Sequence, residues 1–113
     1  MKKKVTGDNI KTEIGKWTFG GKVSNTFDSH IKKSIPLYEW CHEIGVNLSD
    51  FFLKDNSACY DIGCSTGTFI KKLSDRNKKK KKIKFYGIDE VNPMIKKAKR
   101  KCKKNKDNGT NNY

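Results

Sequence analysis

Two glycines, Gly63 and Gly67, punctuate the stretch Asp61-Ile62-Gly63-Cys64-Ser65-Thr66-Gly67, and a further carboxylate, Asp89, follows about 20 residues on. A glycine ending a strand lets the backbone turn sharply and approach a ligand closely. A helix starting at such a turn has free N–H groups that can bind a carboxylate or another acceptor. An acidic side chain at the end of the next strand can accept from both hydroxyls of a ribose. Together these residues describe a nucleoside site. It is not a P-loop, because the turn lacks a Gly-Lys-[Ser/Thr] ending and Thr68-Phe69 supplies no lysine for a β- or γ-phosphate. Nucleoside triphosphate hydrolysis is therefore not expected. Nor does the turn read G-x-G-x-x-G, since Ser65 and Thr66 follow and residue 68 is no glycine, so a nicotinamide dinucleotide is poorly matched.

The elements that must position these residues follow from periodicity. Ala58-Cys59-Tyr60-Asp61-Ile62 is short and apolar, as a buried parallel strand should be. Phe69, Ile70 and Leu73 restore helical spacing from Thr68, and the lysine run 78–82 ends that helix in a solvated loop. The β-branched and aromatic run Ile83 to Ile88 predicts a second strand. Asn92 and Pro93 then suit the cap and first turn of a helix carrying Met94, Ile95, Ala98 and Cys102. Upstream, Val23, Phe27 and Ile31 fall four apart on a helix that Pro36 should end by about Ser34. A second helical pattern runs from Leu37 through Trp40, Cys41, Ile44 and Leu48, interrupted by Gly45. The expected organisation is a mobile leader (1–18), a helical cap (19–56), a βαβα half-domain (57–104) and a disordered tail (105–113). The strand-helix-strand-helix part is a mononucleotide-binding half of a doubly wound α/β fold, with its crevice at the strand carboxyl ends.

At 113 residues, 34% of them hydrophobic, the chain is one domain at most and buries a modest core. Two strands alone make a marginal sheet, so a homodimer or a complementing chain is an expected partner. The net charge of +14 is unevenly placed: residues 1–70 hold nine lysines against eight carboxylates, whereas 71–106 hold 17 Lys and Arg against Asp75, Asp89 and Glu90. Such a block attracts polyanions, which makes a non-catalytic RNA-binding module the alternative function. Solvated lysines on a helix face account for it more simply. Cys41, Cys59, Cys64 and Cys102 show no C-x-x-C spacing, and no metal site is expected. With no apolar run long enough for a membrane span and no signal-peptide pattern, the expected location is the cytoplasm.

Tyr60-Asp-Ile-Gly-Cys-Ser-Thr-Gly67 resembles the first motif of class I S-adenosylmethionine (SAM)-dependent methyltransferases, and Tyr86-Gly-Ile-Asp-Glu-Val-Asn-Pro-Met-Ile95 resembles their acidic second motif. With Phe27-Asp28 and Ser34-Ile35-Pro36-Leu37-Tyr38 added, the sequence over roughly 19–104 is similar to the carboxy-SAM synthase family, which converts SAM and prephenate to carboxy-SAM for wobble-uridine modification in tRNA. The resemblance implies a Rossmann-like fold in truncated form, with two clear parallel strands. It also implies SAM as cofactor and a small, prephenate-like acceptor. SAM carries no pyrophosphate, so the looser glycine turn suits it.

By the same resemblance Tyr38 packs on or bonds to the cofactor, Gly63, Cys64 and Ser65 line its methionine end, and Asp89 with Glu90 holds the ribose and the adenine edge. Asp61 and Gly67 complete the cofactor-binding set. Tyr38 equally suits a core aromatic, and Asp61 is expected to order the turn by accepting from backbone N–H groups. Cys64 is expected to serve by its small size rather than as a thiolate. Val91 stands where the family has a Ser or Thr helix cap, which shifts that role to Asn92. The family's product-holding arginine and tyrosine have no counterpart in this sequence, so no catalytic residue is assigned.

Overall fold

The structure, a computed structural model, describes residues 19 and 22–103 together with the backbone of segments 4–6, 10–12 and 111–112. Most of the expected leader and tail lies outside these residues. The short segments β1 (Lys4–Thr6) and β2 (Ile10–Thr12) pair antiparallel.

Helix α1 spans Val23–Ser34, ending just before Pro36 as the sequence predicts. Helix α2 (Tyr38–Phe52) runs unbroken through Gly45, contrary to the expected interruption. The physical reason lies in packing: a Cβ at Gly45 would stand 2.7 Å from Cζ of Phe69, so the glycine makes room for that ring rather than breaking the helix. After α2 the chain alternates as β3 (Ala58–Ile62), α3 (Thr68–Arg76), β4 (Lys84–Ile88), α4 (Asn92–Lys103) and β5 (Asn111–Asn112).

Strands β3 and β4 are parallel, with Tyr60 opposite Tyr86 and Ile62 opposite Ile88; β5 adds two residues beside β4, also parallel. The β3-β4-β5 order repeats one crossover direction, so α3 and α4 fall on the same face of the sheet. There the core forms, from Val46, Ile70, Leu73, Ile83, Phe85 and Cys102, with Cys59 and Phe69 against it. The opposite face is bare: Tyr60, Ile62 and Ile88 are exposed, and Tyr60 stacks on Tyr86 with ring centroids 4.8 Å apart.

Polar contacts fix α2 against α3. Buried Asn77 donates from Nδ2 to Ser49 Oγ at 2.8 Å and to the Leu73 carbonyl at 2.9 Å, closing the end of α3. Lys72 pairs with Glu43, Arg76 with Asp50, and Lys80 donates to the Leu53 carbonyl at 2.7 Å. Part of the basic block thus serves intramolecular contacts that bind helix to helix.

Candidate functional site

Gly63 leaves β3 at φ +78°, a left-handed backbone open to glycine without steric cost. Its N–H and that of Cys64 both donate to the Ile88 carbonyl, at 2.7 and 2.9 Å. The turn is thereby tied to the end of β4. Asp89 completes the tie, accepting from the Ser65 N–H at Oδ2 (2.9 Å) and from the Val91 N–H at Oδ1 (2.8 Å). Ser65 lies at φ +49°, and the bond to Asp89 offsets the cost of that conformation. Each carboxylate oxygen has two lone pairs, so both retain capacity for a hydroxyl donor.

The turn-ordering role expected of Asp61 falls to Asp89. Asp61 Oδ2 is buried without a hydrogen-bond partner, and its carboxyl pKa is raised by burial and by the charge of Asp89. An orphaned, buried carboxylate oxygen is costly alone and is a natural seat for a cationic donor.

Two chambers open around the turn. The first, about 490 Å³, is walled by apolar side chains that include Phe19, Phe27, Ile62, Ile88 and Met94, and its polar edge is Ser65, Asp89 and Glu90. The second, about 270 Å³, holds Tyr38, His42, Asp61, Cys64 and Phe69. Phe27, Ile31, Gly63 and Ser65 line both, so the chambers are halves of one cleft. A Cβ on Gly63 would meet nothing within 4 Å, which leaves the backbone open to a ligand.

Seven of the eight residues singled out in the sequence therefore converge on this cleft. Gly67 lines neither chamber. A Cβ there would stand 2.9 Å from Cβ and 3.1 Å from Cα of Ala98, so its bareness lets α4 pack on the turn. Gly67 also caps α3, its carbonyl accepting from the Lys71 N–H at 3.1 Å. The start of α3, expected to be open to a ligand carboxylate, has one from the chain itself: Asp28 accepts from the hydroxyls of Thr66 and Thr68.

The start of α4 also differs from expectation. The Val91 carbonyl accepts from the N–H groups of Met94 and Ile95, so Val91 holds the cap position and Asn92 is the first helical residue. No hydroxyl is needed, because Asp89 already satisfies the Val91 N–H.

Cys64 is buried, and its thiol pKa is pushed up to about 11 by burial and by the nearby Asp61, Asp89 and Cys102. It remains protonated, consistent with a packing role. Tyr38 lies with its ring centroid 4.3 Å from that of His42, which is 5.0 Å from Phe69. Tyr38 is thus both a packed aromatic and a wall of the cleft. Burial and the charge of Lys72 hold the His42 pKa below its ordinary value, leaving a neutral imidazole in this stack at pH 7. Periodicity marked Phe27 and Ile31 only as a helix face, and no motif in the sequence singled out His42. The one available signal was the spacing of Tyr38 and His42, four apart on one helix.

No family model matches the chain. It is 39% identical over 74 residues to the carboxy-S-adenosyl-L-methionine synthase of Staphylococcus epidermidis, covering 65% of this chain and 32% of that protein. It is 37% identical over 84 residues to the enzyme of the same name from Desulfotalea psychrophila, covering 74% of the chain and 34% of that protein. With the Helicobacter pylori protein it shares 36% identity over 92 residues, 78% of the chain and 38% of that protein. The chain is therefore related to the carboxy-S-adenosyl-L-methionine synthases through a segment spanning about a third of their length.

Proposed function

We propose that this chain is the cofactor-binding part of a SAM-dependent methyltransferase-fold protein and that SAM occupies the cleft between the Gly63 turn and Asp89. The observation that carries this reading is the arrangement of two carboxylates along one apolar cleft, Asp89 with spare acceptor capacity and Asp61 with an unpartnered buried oxygen. Asp89 accepts from the ribose hydroxyls, and Glu90 stands at the adenine edge. Phe27, Ile62, Ile88 and Met94 supply an apolar slot for the base. Asp61 Oδ2 takes the α-ammonium of the methionine end, a donor of matching charge that ends its unpaired state. Gly63 lets the ligand lie against the main chain. The relatives' name, carboxy-S-adenosyl-L-methionine synthase, supports the choice of SAM among nucleosides.

The cofactor supplies an activated methyl group on a sulfonium, so the protein's task is binding, orientation and exclusion of water. Tyr38, His42 and Phe69 wall the second chamber and keep its surroundings dry. The match covers about a third of these relatives' length, and the residues that hold the acceptor are proposed to lie in the part outside it. Formation of carboxy-SAM, and a place in tRNA modification, would draw on that part as well.

Mass spectrometry of ligands carried through purification tests the reading. SAM, its demethylated product or carboxy-SAM in the released fraction is the expected result. An empty protein that also fails to take up SAM at millimolar concentration contradicts it.

A further inference from the structure

Beside the second chamber, polar side chains from three elements meet. Lys101 Nζ on α4 donates to Asp28 Oδ2 on α1 at 2.7 Å, to Thr66 Oγ1 at 3.0 Å and to Thr68 Oγ1 at 2.6 Å. All three ammonium protons are thereby used. The two hydroxyls pass their own protons to Asp28 Oδ1, the one from Thr68 at 3.3 Å. Thr66 is 1% exposed, and the Lys101 side chain is largely covered. Burial alone would raise the Asp28 pKa, but hydrogen bonds from Lys101, Thr66 and Thr68 and the ammonium charge hold it below the usual carboxylate value. The Asp28 side chain is 47% exposed, so solvent screens the ion pair itself, and the network gains over an isolated surface pair through the two threonine hydroxyls that bridge it.

Its position gives it a consequence for the cleft. Asp28 sits on α1 between Phe27 and Ile31, both of which wall both chambers. Thr66 and Thr68, on either side of Gly67, line the second chamber on the turn wall, and Lys101 belongs to the helix that begins after Asp89. One ammonium thus joins the α1 wall to the turn wall from outside the cofactor's own contacts. The cleft is open on the side of Ile62 and Ile88, so a ligand seated in it has the α1 contacts of Phe27 and Ile31 only while these two walls stay together.

The geometry points to Asp28 and Lys101, bridged by Thr66 and Thr68, as a latch that holds α1 closed over the cleft and controls how fast cofactor enters and leaves. The exchange-rate part rests on the SAM reading above, whereas the closure of α1 does not. Asp28 and Lys101 are positioning residues in this account, since they act through Phe27, Ile31 and the turn.

Amide hydrogen exchange on the ligand-free chain is compared for wild type, Lys101→Met, Asp28→Asn and Lys101→Arg, followed by SAM dissociation rates on the same proteins. Exchange over residues 23–34 is expected to accelerate about ten-fold or more in Lys101→Met and Asp28→Asn, with β3, α3 and β4 within about two-fold of wild type. SAM should leave these variants about ten-fold faster, and Lys101→Arg, which keeps the charge and donors, should recover most of both effects. Unchanged exchange in α1 overturns the latch whatever SAM does. So does acceleration spread evenly over β3, α3 and β4, which marks general loss of stability, and so does an unchanged dissociation rate from a loosened α1. A loosened α1 in a chain whose wild type has no affinity for SAM sustains the closure and removes the cofactor reading instead.

Discussion

At the scale of single residues, the turn-ordering that the sequence assigned to Asp61 passes to Asp89, the other carboxylate of the cleft. Asp89 accepts from two backbone N–H groups and holds the turn, whereas Asp61 keeps a buried oxygen without a donor. The Asp61 pKa is raised by burial and then by Asp89, so folding disfavours its ionised form. A carboxyl with a raised folded pKa contributes stability below its unfolded value, about 3.9 for Asp, and loses it as pH rises through the folded value. At pH 7 the ionised group therefore weakens the ligand-free fold. Asp61→Asn should raise the melting temperature at pH 7 by a few degrees, give no such gain near pH 3, and weaken SAM binding at least about ten-fold, the order expected when a charge-assisted bond is lost. Thermal unfolding at both pH values and a SAM titration check the pair of outcomes. A variant that is neutral in stability and full in affinity would remove Asp61 from the site. This division was not legible in the sequence, because which of two acids finds the backbone donors depends on how the turn is tied to Ile88.

At the scale of elements, α1 and α4 followed from periodicity because each buries one clear apolar face, Phe27 in the first and Met94, Ala98 and Cys102 in the second, whereas Trp40, Cys41, Ile44 and Leu48 of α2 are exposed and its buried residues are Val46 and Ser49. Two points escaped. Gly45 reads as a helix breaker by propensity, yet the ring of Phe69 fills the space it leaves, and tertiary packing outweighs the intrinsic cost of about 1 kcal/mol. Val91 reads as a poor cap, yet a carboxylate from the preceding strand end does the capping. A third element-level feature yields a prediction. Leu37 precedes α2 at φ +60° with its side chain 69% exposed, so it bears the steric cost of the left-handed region with little burial in return. Leu37→Gly relieves about 1–2 kcal/mol of that cost, less the greater unfolded-state freedom of glycine. A net gain of about 0.5–1 kcal/mol is expected in denaturant titration, and a loss would show that Leu37 is packed against something more than solvent.

At the scale of the whole molecule, the parallel pairing of β3 with β4 and the cleft at their carboxyl ends were legible because a glycine turn and a downstream acid in register are long-range consequences of parallel strand pairing. The walls of the crevice were not, since Phe27, Ile31, Tyr38 and His42 reach it only through the way α1 and α2 fold back over the turn. The basic block shows the same limit: counted along the chain it suggests a polyanion surface, while Lys72, Arg76, Lys80 and Lys101 are engaged within the fold. Binding that depends on the apolar cleft and two carboxylates should also respond weakly to salt, unlike contacts between lysines and phosphates. Calorimetric titration of SAM into wild type and Asp89→Asn, at low and at moderate salt, tests the central claim most directly. Saturable binding by wild type that is nearly indifferent to salt, and falls at least about ten-fold in Asp89→Asn with the circular dichroism spectrum unchanged, is the predicted result; equal affinity in the two proteins, or none in wild type, would contradict it.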